Sequence, residues 1–193
     1  MSYQRSSTNK ATPVFLTTTE LQRLLFYLQD ANVSRDLRDL VTLVRNTGMR
    51  LAEVRKLQWA DIDANNRTIL VRNSKTGDRL IPFNFEVNGM LALRAADATT
   101  NHVFGSGSAS DLTRELQELE SLAVFAIGRS VSYHDLRAKF ISEQVEAGMT
   151  PFAIMGLLGW SSPAAAAMFF RATSQLALLR CWFERGAQAL RHS

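Results

Sequence analysis

Cysteine is almost missing from this 193-residue chain: Cys181 stands alone, so no internal disulfide can form and a stapled secreted scaffold is excluded. Cys181 lies between Arg180 and Trp182 in an apolar stretch and reads as a packing residue. Histidine is scarce too. His102, His134 and His192 are scattered, with no set at the spacing zinc ligands need. No uncharged apolar run is long enough to span a bilayer. The N-terminal MSYQRSSTNKATPVF has no apolar signal core, so the expected location is the cytoplasm or nucleoid. The one glycine-rich stretch, GSGSAS at 105–110, lacks the G-x-G-x-x-G spacing of a dinucleotide site and reads as a loop.

What is present is a globular composition: 46% hydrophobic and 21% charged residues, enough to build one sizeable core. A net charge of +4 and a pI near 9.6 point toward a polyanionic partner. Residues 1–15 are polar and carry Pro13, and read as a flexible tail or linker remnant; residues 16–193 read as one domain.

Order is expected from Leu16 onward. Thr17 and Glu20 have capping-box spacing, Leu16 and Leu21 staple spacing, and Leu21, Leu24, Leu25 and Leu28 follow with helical period. A second helix starts after Ser34, buries Leu37, Leu40, Val41 and Val44, and ends at Gly48. A short helix over 51–57 begins beside Arg50, and Trp59 with Asp61-Ile62-Asp63 closes that unit. The period then shifts to two: residues 67–83 predict a β-hairpin with Lys75 near its tip and Pro82 on an edge or at a strand end. Helices are predicted over 86–97 and 111–124. Another starts around His134 and closes near Gly148, and a short one runs from Thr150-Pro151 to Gly159. Ser162-Pro163 repeats that start, and an amphipathic element covers 174–190. The fold class is mainly α with one small antiparallel β-sheet. The expected core includes Leu24, Leu40, Val44, Leu57, Leu136, Phe140 and Leu157.

SVSYHDLRAKF at 130–140 carries the first chemical hint. At a helix start, His134 and Arg137 sit three apart on one face of the first turn, where free amides and the helix dipole favour an anion. The pair reads either as a phosphate seat, an imidazole and a guanidinium added to that helix start, or as a solvated face with a capping histidine, the commoner case for a single short motif.

Taken in order, TGMRLAEV (47–54), SKTGDR (74–79), YHDLR (133–137) and LLGWSSPAAAAMFF (157–170) resemble the tyrosine recombinase, or phage integrase, catalytic domain. By that resemblance Arg50 and Arg137 match the two active-site arginines, Lys75 the hairpin lysine, His134 the histidine and Trp160 a histidine/tryptophan position. Glu53 matches an acidic residue supporting the first arginine. The resemblance implies double-stranded DNA as partner and no cofactor or metal. Two guanidiniums would neutralise charge growing on a phosphodiester's non-bridging oxygens, without titrating near pH 7. Lys75 would protonate the leaving oxygen, and His134 would share a proton or orient the phosphate.

One residue departs from the pattern. The nucleophilic tyrosine expected nine positions after Trp160 is Phe169, which has no oxygen to attack phosphorus. The tyrosines present are Tyr3, Tyr27 and Tyr133, and none is an evident substitute. As written, the chain is expected to bind DNA without forming a phosphotyrosine. Phe169 is then either a Tyr→Phe change in an active recombinase, which the retained charge set favours, or the residue of a natural non-cleaving DNA-binding relative. A helical protein-interaction module would explain the leucine stripes but not the ordered basic residues. The chain has room only for the catalytic domain, as an excised domain or a short fimbrial-type recombinase would. The stripe Leu176, Leu179 and Phe183 is expected to dock on a second copy or pack on its own domain.

Overall fold

The structure, a computed structural model, describes residues 15–72, 77–108 and 110–161. Lys75, Phe169, Cys181 and the amphipathic stretch 174–190 lie outside the described residues.

The fold grows around one helix that is apolar on more than one side. α2 (Arg35–Thr47) starts on Ser34, whose hydroxyl accepts from the Leu37 amide, and ends where Gly48 turns left-handed at φ +61°. Leu37, Leu40, Val41, Leu43 and Val44 have no exposed surface, so α2 packs in the middle of the molecule. α6 (Tyr133–Glu146), α4 (Phe85–Ala96) and α5 (Thr113–Ile127) pack against it. α1 (Thr18–Tyr27) lies on α5, and its capping box is formed: the Thr17 hydroxyl accepts from the Glu20 amide, and the Glu20 carboxylate accepts from the Thr17 amide. Leu16 and Leu21 are both buried, as the staple spacing predicts.

After α3 (Leu51–Lys56) and a 3-10 turn at Trp59–Asp61, the chain forms a three-stranded antiparallel sheet in the order β1 (Ile62–Asp63), β2 (Thr68–Val71), β3 (Arg79–Pro82). The sequence pattern predicts only the hairpin and ends a unit at Ile62-Asp63. Two residues are too short for a periodic signal, and β1 exists because Ile62 pairs with Ile69. Pro82 is the last residue of an edge strand, where its missing N–H costs nothing. α7 (Pro151–Leu158) packs against β3 and α6, with Thr150 as its N-cap and Gly159 as its left-handed C-cap.

Two expectations shift. α5 begins two residues later and ends three residues later than the predicted 111–124. Asp111 is drawn away from the helix because the Ser106 and Ser108 amides donate to its carboxylate, and Leu112 takes φ +67°. In the core, Leu24, Leu40, Val44, Leu57, Leu136 and Phe140 are buried as expected. Leu157 is only partly buried, and its neighbour Leu158 takes the core position.

Candidate active site

The site begins at the end of α2. Gly48 reverses the chain, Met49 is buried, and Arg50 becomes the N-cap of α3 with extended backbone. Two side chains one turn apart at the start of α6 fix this corner. The Tyr133 hydroxyl donates to the Met49 carbonyl at 2.5 Å, and Arg137 Nη1 donates to the Gly48 carbonyl. These consecutive carbonyls tie the segment carrying Arg50 to the helix carrying Arg137. Residues distant in the chain thus meet at one corner.

Glu53 sits one turn into α3. Its carboxylate accepts from the Arg50 amide at 2.8 Å and from Arg50 Nη1 at 3.0 Å. Arg79, at the start of β3, donates from Nη2 to both Glu53 oxygens at 2.9 and 2.8 Å. Both arginines also reach the end of α7: Arg79 Nε donates to the Leu157 carbonyl at 2.9 Å, and Arg50 Nη2 donates to the Gly159 carbonyl at 2.7 Å. The last carbonyls of a helix lack intrahelical partners and carry its negative dipole end, so cations settle there.

Two guanidiniums, Arg50 and Arg79, therefore share one carboxylate, and Arg137 stands close enough to feel the charges of all three. Arg137 is 7% exposed, and burial followed by repulsion from Arg50 holds its pKa down at about 10. Its Nη2, like Nη1 of Arg79, is buried with no partner among the described residues. Buried cations without enough counter-charge are costly unless something anionic completes them. Beside Arg50 and Glu53 opens a cleft of about 540 Å³, whose wall includes Lys56, Asp61 and Arg72.

The predicted residues sort clearly. Arg50, Glu53 and Arg137 come together, and the Gly159 carbonyl bound by Arg50 places Trp160 one residue away. Trp160 is half-buried against the cluster of Phe140, Ile141, Ile154 and Leu158. His134 does not share Arg137's surroundings. It is exposed, with its ring edge-on to Tyr133 at 6.3 Å, while Arg137 folds inward to the Gly48 carbonyl. Nor is the start of α6 an open anion seat. Ser132 and Asp135 close a capping box there, so a carboxylate already occupies that helix end. The positive centre comes from arginines on three elements instead.

Sequence reasoning passes over two residues. Tyr133 enters it only as a replacement nucleophile. Burial pushes its phenol well above the usual tyrosine range, and its hydroxyl is spent on Met49. Arg79 stands inside SKTGDR without a role. The signal is there: Arg79 stands two residues before Ile81, so the two share a face, and that puts an arginine on the inward side of a strand.

Comparison with known proteins decides the family. Residues 14–175 match the phage integrase family. The chain belongs to it. Among curated relatives, this integrase-family chain is 26% identical over 178 residues to the tyrosine recombinase XerC of Pediococcus pentosaceus, covering 84% of this chain and 59% of that protein. It is 29% identical over 147 residues to the prophage integrase IntF of Escherichia coli, covering 72% of this chain and 31% of that one. The chain thus spans well under two thirds of either relative. Its fold matches the Tn1549 transposon integrase, solved as a Tyr→Phe variant in complex with transposon right end DNA, with a TM-score of 0.73 at 22% identity, over 94% of this chain and 68% of that one. The mainly helical fold with a small antiparallel sheet is that of tyrosine recombinase catalytic domains.

Proposed function

We propose that this catalytic domain binds double-stranded DNA at one backbone phosphate and, in its tyrosine form, cleaves and rejoins the strand through a 3′-phosphotyrosine. The observation that carries the reading is the joining of Arg50 and Arg137 at the Gly48–Arg50 corner, where Nη2 of Arg137 and Nη1 of the neighbouring Arg79 are buried without partners among the described residues and counter-charge is short. A phosphodiester supplies what that corner lacks. In the transition state the attacking oxygen bonds to phosphorus as the bond to the 5′-oxygen breaks, and charge builds on the non-bridging oxygens. Each guanidinium aimed at those oxygens beforehand contributes about 3 kcal/mol, by analogy with single oxyanion donors. Lys75 donates the proton the leaving 5′-oxygen needs. His134, exposed on the helix that carries Arg137, turns to the bound DNA to share a proton or orient the phosphate, and the Trp160 indole adds one N–H donor. Residues 16–193 form the unit that does this, and no cofactor takes part.

Phe169 stops the reaction before cleavage in the chain as it stands, and retention of Arg50, Lys75, His134 and Arg137 favours a Tyr→Phe change in an active enzyme. The test is Phe169→Tyr on a pool of nicked duplexes with randomised flanks, scored for protein–DNA adducts that survive denaturant. Adducts that need the restored phenol and disappear on Arg137→Gln support the reading. No adduct from any sequence in the pool contradicts it and leaves a non-cleaving DNA-binding relative. The stripe Leu176, Leu179 and Phe183 docks on a second copy on DNA. A chain cut after Thr173 then sediments as a monomer, and unchanged self-association refutes the docking.

A further inference from the structure

Arg79 stands out because, although its Nη1 is one of the two buried nitrogens without a partner among the described residues, its other donors are committed to the protein itself. Its side chain is 8% exposed, so it is not a surface charge. It makes contacts in two directions at once, to both oxygens of Glu53 and to the Leu157 carbonyl. Glu53 in turn holds Arg50 by its backbone amide and by Nη1. Leu157 lies in the last turn of α7, two residues before the Gly159 carbonyl that Arg50 grips and three before Trp160. Arg79 therefore closes a ring: Arg50 to Glu53, Glu53 to Arg79, Arg79 to α7, and α7 back to Arg50. Each member of the ring sits at a different place in the fold, namely the N-cap of α3, its first turn, β3 and the end of α7.

The geometry points to Arg79 as a positioning residue for the cleavage reaction: through Glu53 and the Leu157 carbonyl it holds Arg50 and Trp160 in fixed register around a bound phosphate. The inference rests on the recombinase reading. A planar guanidinium suits this role because its rigid fork can hold a carboxylate on one edge and a carbonyl on another, whereas an ammonium is a point donor on a flexible stem. Carboxylate sharing also orients Arg50 without neutralising the cluster, since Arg50 and Arg79 bind one carboxylate and Arg137 adds a further charge nearby. A structural arginine and a positioning arginine make different predictions. Losing the first lowers stability alone, while losing the second slows the chemical step in protein that is still folded and still bound.

The test places Arg79→Met and Arg79→Lys in the Phe169→Tyr chain, on the nicked duplex recovered from the randomised pool. Methionine keeps the packing of the stem without charge; lysine keeps the charge but cannot grip Glu53 and Leu157 together. The expected result is a duplex Kd within about threefold of the parent and an adduct rate at saturating protein about 100-fold slower, the scale of an ångström misplacement. Glu53→Gln alone should slow the reaction similarly, and Glu53→Gln combined with Arg79→Lys should be little slower than the worse single change, as expected of residues acting as one unit. Circular dichroism reports folding, and if Arg79→Met does not fold the lysine variant decides. Cleavage within about threefold of the parent in a folded Arg79 variant overturns the inference. A parallel loss of affinity and rate also overturns it, since Arg79 would then be a DNA contact. A Phe169→Tyr parent that forms no adduct refutes the recombinase reading and this inference with it, a failure visible before any Arg79 variant is compared.

Discussion

Gly48 joins the stability of the fold to the geometry of the site, so Gly48→Ala is the most informative single change. Its φ of +61° is in the left-handed region, where a side chain costs an L-residue about 1–2 kcal/mol. A Cβ there would lie 2.4 Å from Phe140 Cδ1, 2.8 Å from Phe140 Cε1 and 3.2 Å from Leu158 Cδ2. Carbon atoms pack best at about 3.5–4.0 Å, so the ring would have to retreat by about 1 Å. Phe140 is 6% exposed and wedged among Ile141, Ile154 and Leu158, so it cannot retreat without disturbing α6 and α7. Overpacking of this kind costs about 1–3 kcal/mol, giving about 2–5 kcal/mol in all. Two controls separate the terms. Gly148 also has a positive φ, +85°, but nothing lies within 4 Å of its Cβ position, so Gly148→Ala should cost about 1 kcal/mol. Gly89 is exposed inside α4 with open space around it, and Gly89→Ala should stabilise by about 1 kcal/mol. Urea unfolding at constant m-value measures all three, and Gly48→Ala should also lower Tm by about 5–15 °C. The reasoning is refuted if Gly48→Ala falls within about 1 kcal/mol of Gly148→Ala, because the overlap with Phe140 would then cost nothing.

Two further outcomes follow from the charges. Glu20, paired with Arg129 at 2.7 Å, has its pKa lowered to about 2, chiefly by the hydrogen bond from that guanidinium. A depressed carboxyl stabilises the fold above its unfolded pKa and loses that contribution as pH falls from about 4.5 toward 2. Glu20→Gln should therefore cost about 1 kcal/mol at pH 7, allowing for solvent screening of a partly exposed pair, and only a small part of that at pH 2, where the folded carboxyl is half protonated; a gap undiminished at pH 2 contradicts the pairing. Arg137 works in the opposite sense. Its cation is disfavoured in the folded chain, so stability should rise with pH above about 10, as the folded state sheds a proton the unfolded chain keeps. Arg137→Met should raise stability by about 1–3 kcal/mol while weakening duplex binding; a loss of stability would show that the Gly48 carbonyl outweighs the cost of burying the charge.

Local rules make much of the fold readable. Capping residues mark where α1, α2 and α7 begin, and Gly48 and Gly159 mark where α2 and α7 stop, because those signals act within a few residues of the ends they set. What stays hidden depends on partners distant in sequence. β1 is a strand only because β2 lies beside it. The start of α5 is displaced by a loop folding onto Asp111. At the site, residue type and order locate Arg50, Glu53 and Arg137, but not the direction in which Arg137 turns. That direction is set by a carbonyl at Gly48, and every residue carries a carbonyl. Arg79 is legible as an arginine on the inward face of a strand. Its partners, Glu53 and Leu157, come from packing that no local pattern encodes.

The central claim is that Arg50 and Arg137 hold the same phosphate. The salt dependence of duplex binding tests it, since log Kd changes with log salt in proportion to the number of phosphates neutralised. Arg50→Gln or Arg137→Gln alone leaves the other guanidinium on the phosphate and should change the slope by well under about 1, whereas the double variant should lower it by about 1. A double variant that lowers the slope by about 2 would assign the arginines to separate phosphates, and an unchanged slope would mean they touch none; either result contradicts the account.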